Sequence, residues 1–371
     1  MSDEWIGIIH TTKPKYMKMA SDMTVRRRLF LAMFKRKGSI TYNNGGDEFK
    51  WQVEFSQPTM HQHGDGSMID FTNHDAFRQA TLPWSGYVVP DSITKKQQLM
   101  NKGEEALINL FRTKQGRTTK KLQDGMAGEI YRTGGTSGRE NCIYGLETAL
   151  TERTAPAASD EIAEPSTTYA TLSTALANQG GTWSATGSDF PNATLANNWP
   201  NGQGDSEYDY FAPKLVNWSG TGWGTGSTTF EDNCWRVIGQ AITWLTTTGG
   251  DDGMPDICVL NPKLFQDYKN HEEAIRRINI PHKAANDLGF SGNTLNQDGC
   301  AISGDYDCPV NTGYMVNFSN LEMACLTPEL IWMEGPDKDP RSGYDILWSS
   351  GFYGQLKIES PKHLGKLYNY A

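Results

Sequence analysis

A chain of 371 residues with 37% apolar side chains can bury a sizeable core and is long enough for two or three domain-sized units. Its net charge of −9 is unevenly spread: residues 1–46 hold nine Lys/Arg against three acidic residues, a local +6, so the rest carries −15. Six scattered cysteines without a CxxC argue against a zinc or disulfide framework, and no apolar run approaches the ~20 residues that span a bilayer.

The start, MSDEWIGIIH, lacks the charged-then-apolar layout of a signal peptide. Reduced thiols in cytoplasm are therefore expected, and the Asn-x-Ser/Thr triplets at Asn192, Asn217 and Asn317 carry no meaning. An acidic body with a basic N-terminal arm points to two surfaces facing two partners. The 38 glycines and 11 tryptophans suggest a loop-rich chain containing β-structure.

Taken in chain order, SDMTVRRRLFLAMFKRKG from Ser21 predicts a short helix closed by Gly38, with Val25, Leu29, Ala32 and Met33 on one face. Basic residues flank that face, which suits a partner-binding arm. FKWQVEF alternates: Phe49, Trp51, Val53 and Phe55 point one way, and Lys50, Gln52 and Glu54 the other. SQPTMHQHGDGS is a polar loop, and FRQATLPWSGYVV from Phe77 returns as the second strand. A two-stranded ribbon is marginal alone in water, so its aromatic face needs cover from this chain or a neighbouring one. The longest helical pattern runs from Ser92, a candidate cap, to about Arg132. Leu99, Gly103, Leu107, Leu110, Phe111, Leu122, Met126 and Ile130 are spaced by threes and fours, with a gap around Gly116. Such a helix would be roughly 55–60 Å long, a strut rather than a site wall.

RTGGTSGREN is a glycine-rich joint, and IYGLETAL follows it. A stretch poor in Lys/Arg then runs to about Ser227, punctuated by Trp183, Trp199, Trp218 and Trp223. TTFEDNCWRVIGQAITWL, residues 228–245, predicts an amphipathic helix with Cys234, Val237, Ile238, Ala241, Ile242 and Leu245 on one face. PDICVLNPKLFQDYKN, residues 255–270, reads as a buried strand, a turn and a helix with Asn261 as cap and Pro262 as first residue. QDYKNHEEAIRRI looks like a second helix. CPVNTGYMVNF, LEMACL and DILWSSGFYGQLKI look like strands.

The search for chemistry is negative. GxxxxGK[ST] is absent, and the glycines at 220, 222, 224 and 226 fail GxGxxG. GGTSG is not a nucleophile elbow. His61 and His63, with Asp65 nearby, fit solvated residues of a loop tip better than metal ligands. The pairs Asp251/Asp252, Asp305/Asp307 and Asp337/Asp339 fit turn chemistry, not a calcium loop. PDICVLNPKLFQDYKN lacks the glycines that let a backbone close on phosphate. No catalytic, metal or cofactor residue is assigned. A long strut, a projecting ribbon and a basic arm describe a chain built to contact copies of itself.

The order of these segments resembles the major capsid proteins of tailed phages, the Hong Kong ninety-seven-like shell fold. The resemblance rests on FKWQVEF…FRQATLPWSGYVV, SITKKQQLMNKGEEALINLF, IYGLETAL, FAPKLVNWSG, PDICVLNPKLFQDYKN, CPVNTGYMVNFSNLEM and WMEGPDKDP in that order. It implies an α+β fold with an N-terminal arm (1–46), an extended hairpin loop (47–91) and a spine helix of a peripheral domain (92–135). An axial domain (136–330) with a loop-rich insertion (151–227) follows, then return strands of the peripheral domain (331–371).

It also implies a function: a virion structural protein that assembles as pentamers and hexamers into an icosahedral head around double-stranded DNA, built in host cytoplasm. Neither a cofactor nor a membrane is implied. A hairpin starting near Asp47 leaves no room for a fused scaffolding segment ahead of the arm, so a separate scaffolding protein is expected, with portal and decoration proteins as further partners.

The residues agree with this at two points. The face of Phe49, Trp51, Val53 and Phe55 would be an inter-subunit surface. Arg26, Arg27, Arg28, Lys35, Arg36 and Lys37 would face the lumen and touch packaged DNA non-specifically or an acidic scaffold. The tryptophan-studded insertion suits a tower or outer surface. Three other readings stay open: an encapsulin-like compartment with the same fold, a soluble α/β enzyme using residues 255–270, and a carbohydrate-binding protein.

Overall fold

The computed structural model describes residues 29–54, 61–66, 68, 71, 77–100, 104–151, 162–163, 168–174, 211–220, 223–250, 253–275, 294–341 and 344–369. Helix α1, Leu29–Lys37, ends at Gly38, whose φ of +73° is the left-handed conformation that glycine adopts without penalty. It buries Leu29, Phe30, Leu31, Met33 and Phe34. The Phe30 ring lies 5.2 Å from Tyr131, and Phe34 lies 5.2 Å from Phe318. Ala32, expected on the apolar face, is exposed; the buried face runs from Leu29 and Met33 to Phe30 and Phe34. This part of the expected arm is therefore core, while Val25 lies outside the described residues.

A five-stranded sheet is built on β15, Ile346–Ile358. Along one side run β13, Leu321–Cys325, and β14, Trp332–Lys338. Along the other runs β4, Ser85–Ile93, in register from Ser85↔Gly354 to Ile93↔Ile346. The two-residue strand β1, Ile40–Thr41, adds to β13 in parallel. Helix α2, Lys95–Met100, leads to α3, Glu104–Glu129, which lies on β4 and β15. Trp348 meets Phe111 edge-on at 5.1 Å, and Thr118 Oγ1 meets Ser350 Oγ at 3.2 Å.

The long helix is shorter than expected. At 1.5 Å per residue, the 26 residues of α3 span about 39 Å. Ser92 does not cap it, because Ser92 is a strand residue paired with Leu347. Leu99 sits on α2 with 58% exposure, and Gly103 lies outside the described residues. The apolar spacing merged a strand end, a short helix and a long one.

A seven-stranded mixed sheet forms the second layer, in the order β10-β11-β9-β12-β16-β8-β5. These are Thr294–Gln297, Cys300–Gly304, Ile257–Leu260, Gly313–Val316, Gly365–Tyr368, Lys214–Asn217 and Ile162–Ala163. Four of them (β8, β9, β12 and β16) are buried at every residue, because the sheet is covered on both faces. In β9, Ile257 and Val259 pack toward α1 and the five-stranded sheet. Cys258 and Leu260 pack under helices α5, Phe230–Gly249, and α6, Pro262–Ile275. The helix expected from Pro262 forms and runs on through QDYKNHEEAI to Ile275 as one element.

Three chain segments cross between layers in ways the sequence order did not suggest. The strands CPVNTGYMVNF and LEMACL fall in different sheets, as β12 and β13. The closing strand β16 belongs to the seven-stranded sheet rather than returning to the other. β8, within the stretch read as a surface insertion, pairs with β16 in parallel. Trp218 and Trp223 follow it into the core, donating to Asn311 O at 3.1 Å and Asn217 O at 2.9 Å. Trp183 and Trp199 lie outside the described residues.

Candidate functional site

The expected ribbon forms: β2, Glu48–Glu54, pairs with β3, Phe77–Pro83, as Phe49↔Leu82, Trp51↔Ala80 and Val53↔Arg78. The second strand stops at Pro83. Ser85 onward joins the five-stranded sheet, so the expected strand FRQATLPWSGYVV is two strands in two sheets.

The apolar face at the base of the ribbon lies on its own chain. The indole N–H of Trp51 donates to Glu359 O at 3.2 Å, and its ring lies 6.3 Å from Tyr169. The Lys357 ammonium sits 5.8 Å from the Trp51 ring and 6.0 Å from that of Phe49. Phe49 also meets Trp84 at 5.5 Å. Val53 is 9% exposed, and Ala80 and Leu82 are fully buried. Of the residues expected on an inter-subunit face, Val53 is buried within the chain and Phe49 and Trp51 are half-buried. Phe55 lies outside the described residues. Among the described residues, the large exposed apolar side chains of this segment are Met68 (100%), Phe71 (90%) and Phe77 (56%).

A small hairpin, β6 (Thr168–Tyr169) and β7 (Leu172–Ser173), locks this base. The buried Tyr169 hydroxyl donates to Leu356 O at 3.2 Å and accepts from Ile358 N at 2.9 Å, taking the place of a neighbouring strand at the end of β15. Buried Gln355 accepts from Tyr144 N at 2.9 Å and donates to Pro83 O at 2.9 Å. One amide thus ties the sheet, the ribbon's end and the glycine joint together. That joint needs its glycines: a β-carbon on Gly134 would lie 2.4 Å from Ile143 O.

Of the expected basic residues, Arg26, Arg27 and Arg28 lie outside the described residues. Lys35 and Arg36 are exposed at the end of α1, and Lys37 pairs with Asp256 at 2.7 Å.

Among the described residues, the charged and tyrosyl groups around the main concavity are committed to one another. A concavity of about 410 Å³ lies beside Tyr131, Arg132, Arg139, Glu147 and Tyr314. Glu147, on the short helix α4 (Leu146–Ala149), accepts from Lys366 Nζ at 2.5 Å and from the Tyr314 hydroxyl at 2.8 Å. Tyr131 donates to buried Asp305 at 2.6 Å; burial, and then the Asp305 charge, holds its hydroxyl well above the usual tyrosine range. Arg132 and Arg139 both engage Glu129. Burial pushes the thiols of Cys234, Cys300 and Cys325 up to about 12 and raises those of Cys258 and Cys308, so none of these five is a thiolate nucleophile at neutral pH. Among the described residues no group of three or more His, Cys, Asp or Glu side chains is placed to hold a metal ion, and His61, His63 and Asp65 are exposed.

The strand–turn–helix at 255–270 is closed to phosphate. Asn261 Oδ1 accepts from Lys263 N at 3.1 Å, Asn261 O accepts from Phe265 N at 2.9 Å, and Pro262 has no N–H to offer. Asn261 Nδ2 donates to Cys308 O at 2.9 Å. The α/β-enzyme reading loses its site.

No family model and no curated protein matches the sequence. Solved structures do match the fold. The chain is similar to a capsid chain of a native GTA particle: 12% identity and a TM-score of 0.55, over 96% of this chain and 98% of that one. It is similar to a chain of the cyanophage A-1(L) capsid asymmetric unit: 12% identity and a TM-score of 0.56, over the same shares. The capsid of Myoviridae phage XM1 matches at 10% identity and a TM-score of 0.51, over 95% of both chains. The chain has the phage capsid fold that the segment order implied.

Proposed function

We propose that this chain is the structural subunit of a phage-type head, assembling with copies of itself into a closed icosahedral shell around double-stranded DNA. The carrying observation is the end-to-end likeness to capsid chains, which leaves almost no residue of either partner outside the shared fold. The interior supports the same reading, because its buried acids, tyrosines and thiols serve to hold the layers together and not to meet a substrate. The role is structural rather than enzymatic.

In this reading the ribbon reaches a neighbouring subunit through its free end, where Met68, Phe71 and Phe77 are exposed, while Phe49, Trp51 and Val53 set its angle of departure. Lys35 and Arg36, with Arg26, Arg27 and Arg28 before them, face the lumen. Pentamers and hexamers, a scaffolding protein, a portal and assembly in host cytoplasm complete the picture. Electron microscopy of the purified chain, with nuclease-protected nucleic acid measured in any particles, tests it. Closed shells with protected duplex are expected from the natural source. A persistent monomer overturns the reading, and shells that enclose protein cargo and no nucleic acid favour the encapsulin-like alternative.

A further inference from the structure

Helix α3 is two-faced in an unusual sense. Toward the five-stranded sheet it buries Leu110, Thr118, Leu122 and Met126. The cation on that side, Lys114, is tied down: it donates to Ser92 O at 2.6 Å and pairs with Asp91 at 3.9 Å. On the outward side Arg112, Arg117 and Lys121 are exposed, and among the described residues none of them has an ion-pair or hydrogen-bond partner. At 100° per residue these positions share one half of the helix surface, over about 13.5 Å of its axis.

Two features show that this face is not shaped for the subunit's own stability. Arg117 and Lys121 are like charges at i,i+4, which repel on a helix. Gly116 lies among them, exposed, with nothing within 4 Å of where its β-carbon would be. A glycine inside a helix lowers helix stability relative to alanine, and no neighbour among the described residues requires one here. Its effect is to leave bare backbone between three cations.

We propose that Arg112, Gly116, Arg117 and Lys121 form a docking face for a nucleic-acid phosphate backbone. The chemistry favours a polyphosphate over an acidic protein segment. Protein partners are usually anchored by buried apolar side chains, and α3 exposes none among its described residues. A phosphodiester backbone is recognised by charge and close approach alone. Guanidinium forks suit phosphate oxygens, and the missing side chain at 116 lets a rod-like polyanion lie against the helix. The chain after residue 46 carries a net −15, so in this part of the chain attraction stays weak enough for the duplex to slide. The proposal depends on the shell reading only for where the duplex comes from.

The test is fluorescence anisotropy of a labelled random-sequence duplex of about 30 base pairs with the full-length unassembled chain, from about 25 to about 150 mM salt. Each phosphate contact contributes about 0.9 to the slope of log K against log salt, so Arg117→Gln with Lys121→Gln should reduce its magnitude by about 1.8, and adding Arg112→Gln by about 0.9 more. Gly116→Phe, which keeps every charge, should also weaken binding. Far-ultraviolet circular dichroism must show unchanged helix content. Unchanged slopes in the charge variants, or no duplex binding by the wild type at the lowest salt, overturn the proposal. If the variants lose binding to polyglutamate but not to duplex, the partner is an acidic protein and the proposal also fails. Shell formation is scored separately on the same variants by electron microscopy, so closed shells with unchanged duplex slopes reject this docking face while leaving the shell reading intact.

Discussion

Replacing Met68 and Phe71 together by serine should separate folding from assembly. Both side chains are almost wholly exposed, so their removal should change subunit stability by no more than about 0.5 kcal/mol. Buried against a neighbour, they would contribute about 1.5–3 kcal/mol each, or about 3–6 kcal/mol gross per contact. Ordering the side chains and ribbon takes back part of that, leaving a net loss of about 2–3 kcal/mol, a factor of roughly 30–150 in each contact. A closed shell needs many such contacts at once, so the deficit multiplies and particles should not form at concentrations that suffice for wild type. Leu82→Ala, at a fully buried ribbon position, should do the reverse, lowering subunit stability by about 2–5 kcal/mol. Trp51→Ser belongs with Leu82→Ala, because it removes the bond to Glu359 and the packing on Tyr169. Urea unfolding of the free subunit and particle yield by sedimentation and negative stain are the two readouts. Full particle yield from the Met68/Phe71 variant would refute the reasoning. So would a fall in its unfolding midpoint comparable to that of Leu82→Ala.

Other consequences follow from the interior. Tyr131→Phe removes a 2.6 Å donor from buried Asp305 and should cost about 1.5–3 kcal/mol in denaturant unfolding. Glu147→Ala breaks the pair with Lys366; Glu147 keeps 27% side-chain exposure, so the loss should be about 3 kcal/mol, the low end for a buried pair. Cys234, Cys300 and Cys325 titrate near 12 in the fold against 9.0 when unfolded. The unfolded chain therefore releases their protons first as pH rises. Their contribution is complete below about pH 9 and declines toward pH 12, by at most about 1.4 kcal/mol per pH unit per thiol. Thermal melts should show that decline, and Cys300→Ala should make it shallower. At pH 8 a thiol reagent should find Cys142 well before the five buried thiols, and all six in urea.

Much of the secondary structure was legible in the sequence. Gly38 ends its helix because it supplies a left-handed residue, and Asn261-Pro262 starts one because cap and first residue are both local matters. Strict alternation in Glu48–Glu54 gave the ribbon and its facing residues. What failed was of another kind. The three-and-four spacing from Ser92 onward cannot distinguish a strand end from a helix start, since the deciding partner, β15, lies some 250 positions away. Ala32 fits the stripe of Leu29 and Met33 by angle, but Phe30 and Phe34 on the other side of that stripe have more apolar surface to bury.

The sequence by itself determined that this is a mixed α+β chain without a recognisable catalytic or metal motif, and the order of its elements was enough to suggest a shell fold. Those properties depend on local propensity, periodicity and residue type. Only the tertiary structure decided which layer each strand enters, that β12 and β13 part company, and that the aromatic face of the ribbon rests on its own chain. It also moved the exposed apolar surface to Met68, Phe71 and Phe77 and singled out the bare cationic face around Gly116. Burial and charge pairing are properties of neighbours in space, and the side chains that cover Trp51 and neutralise Lys114 come from positions that no local pattern connects to them.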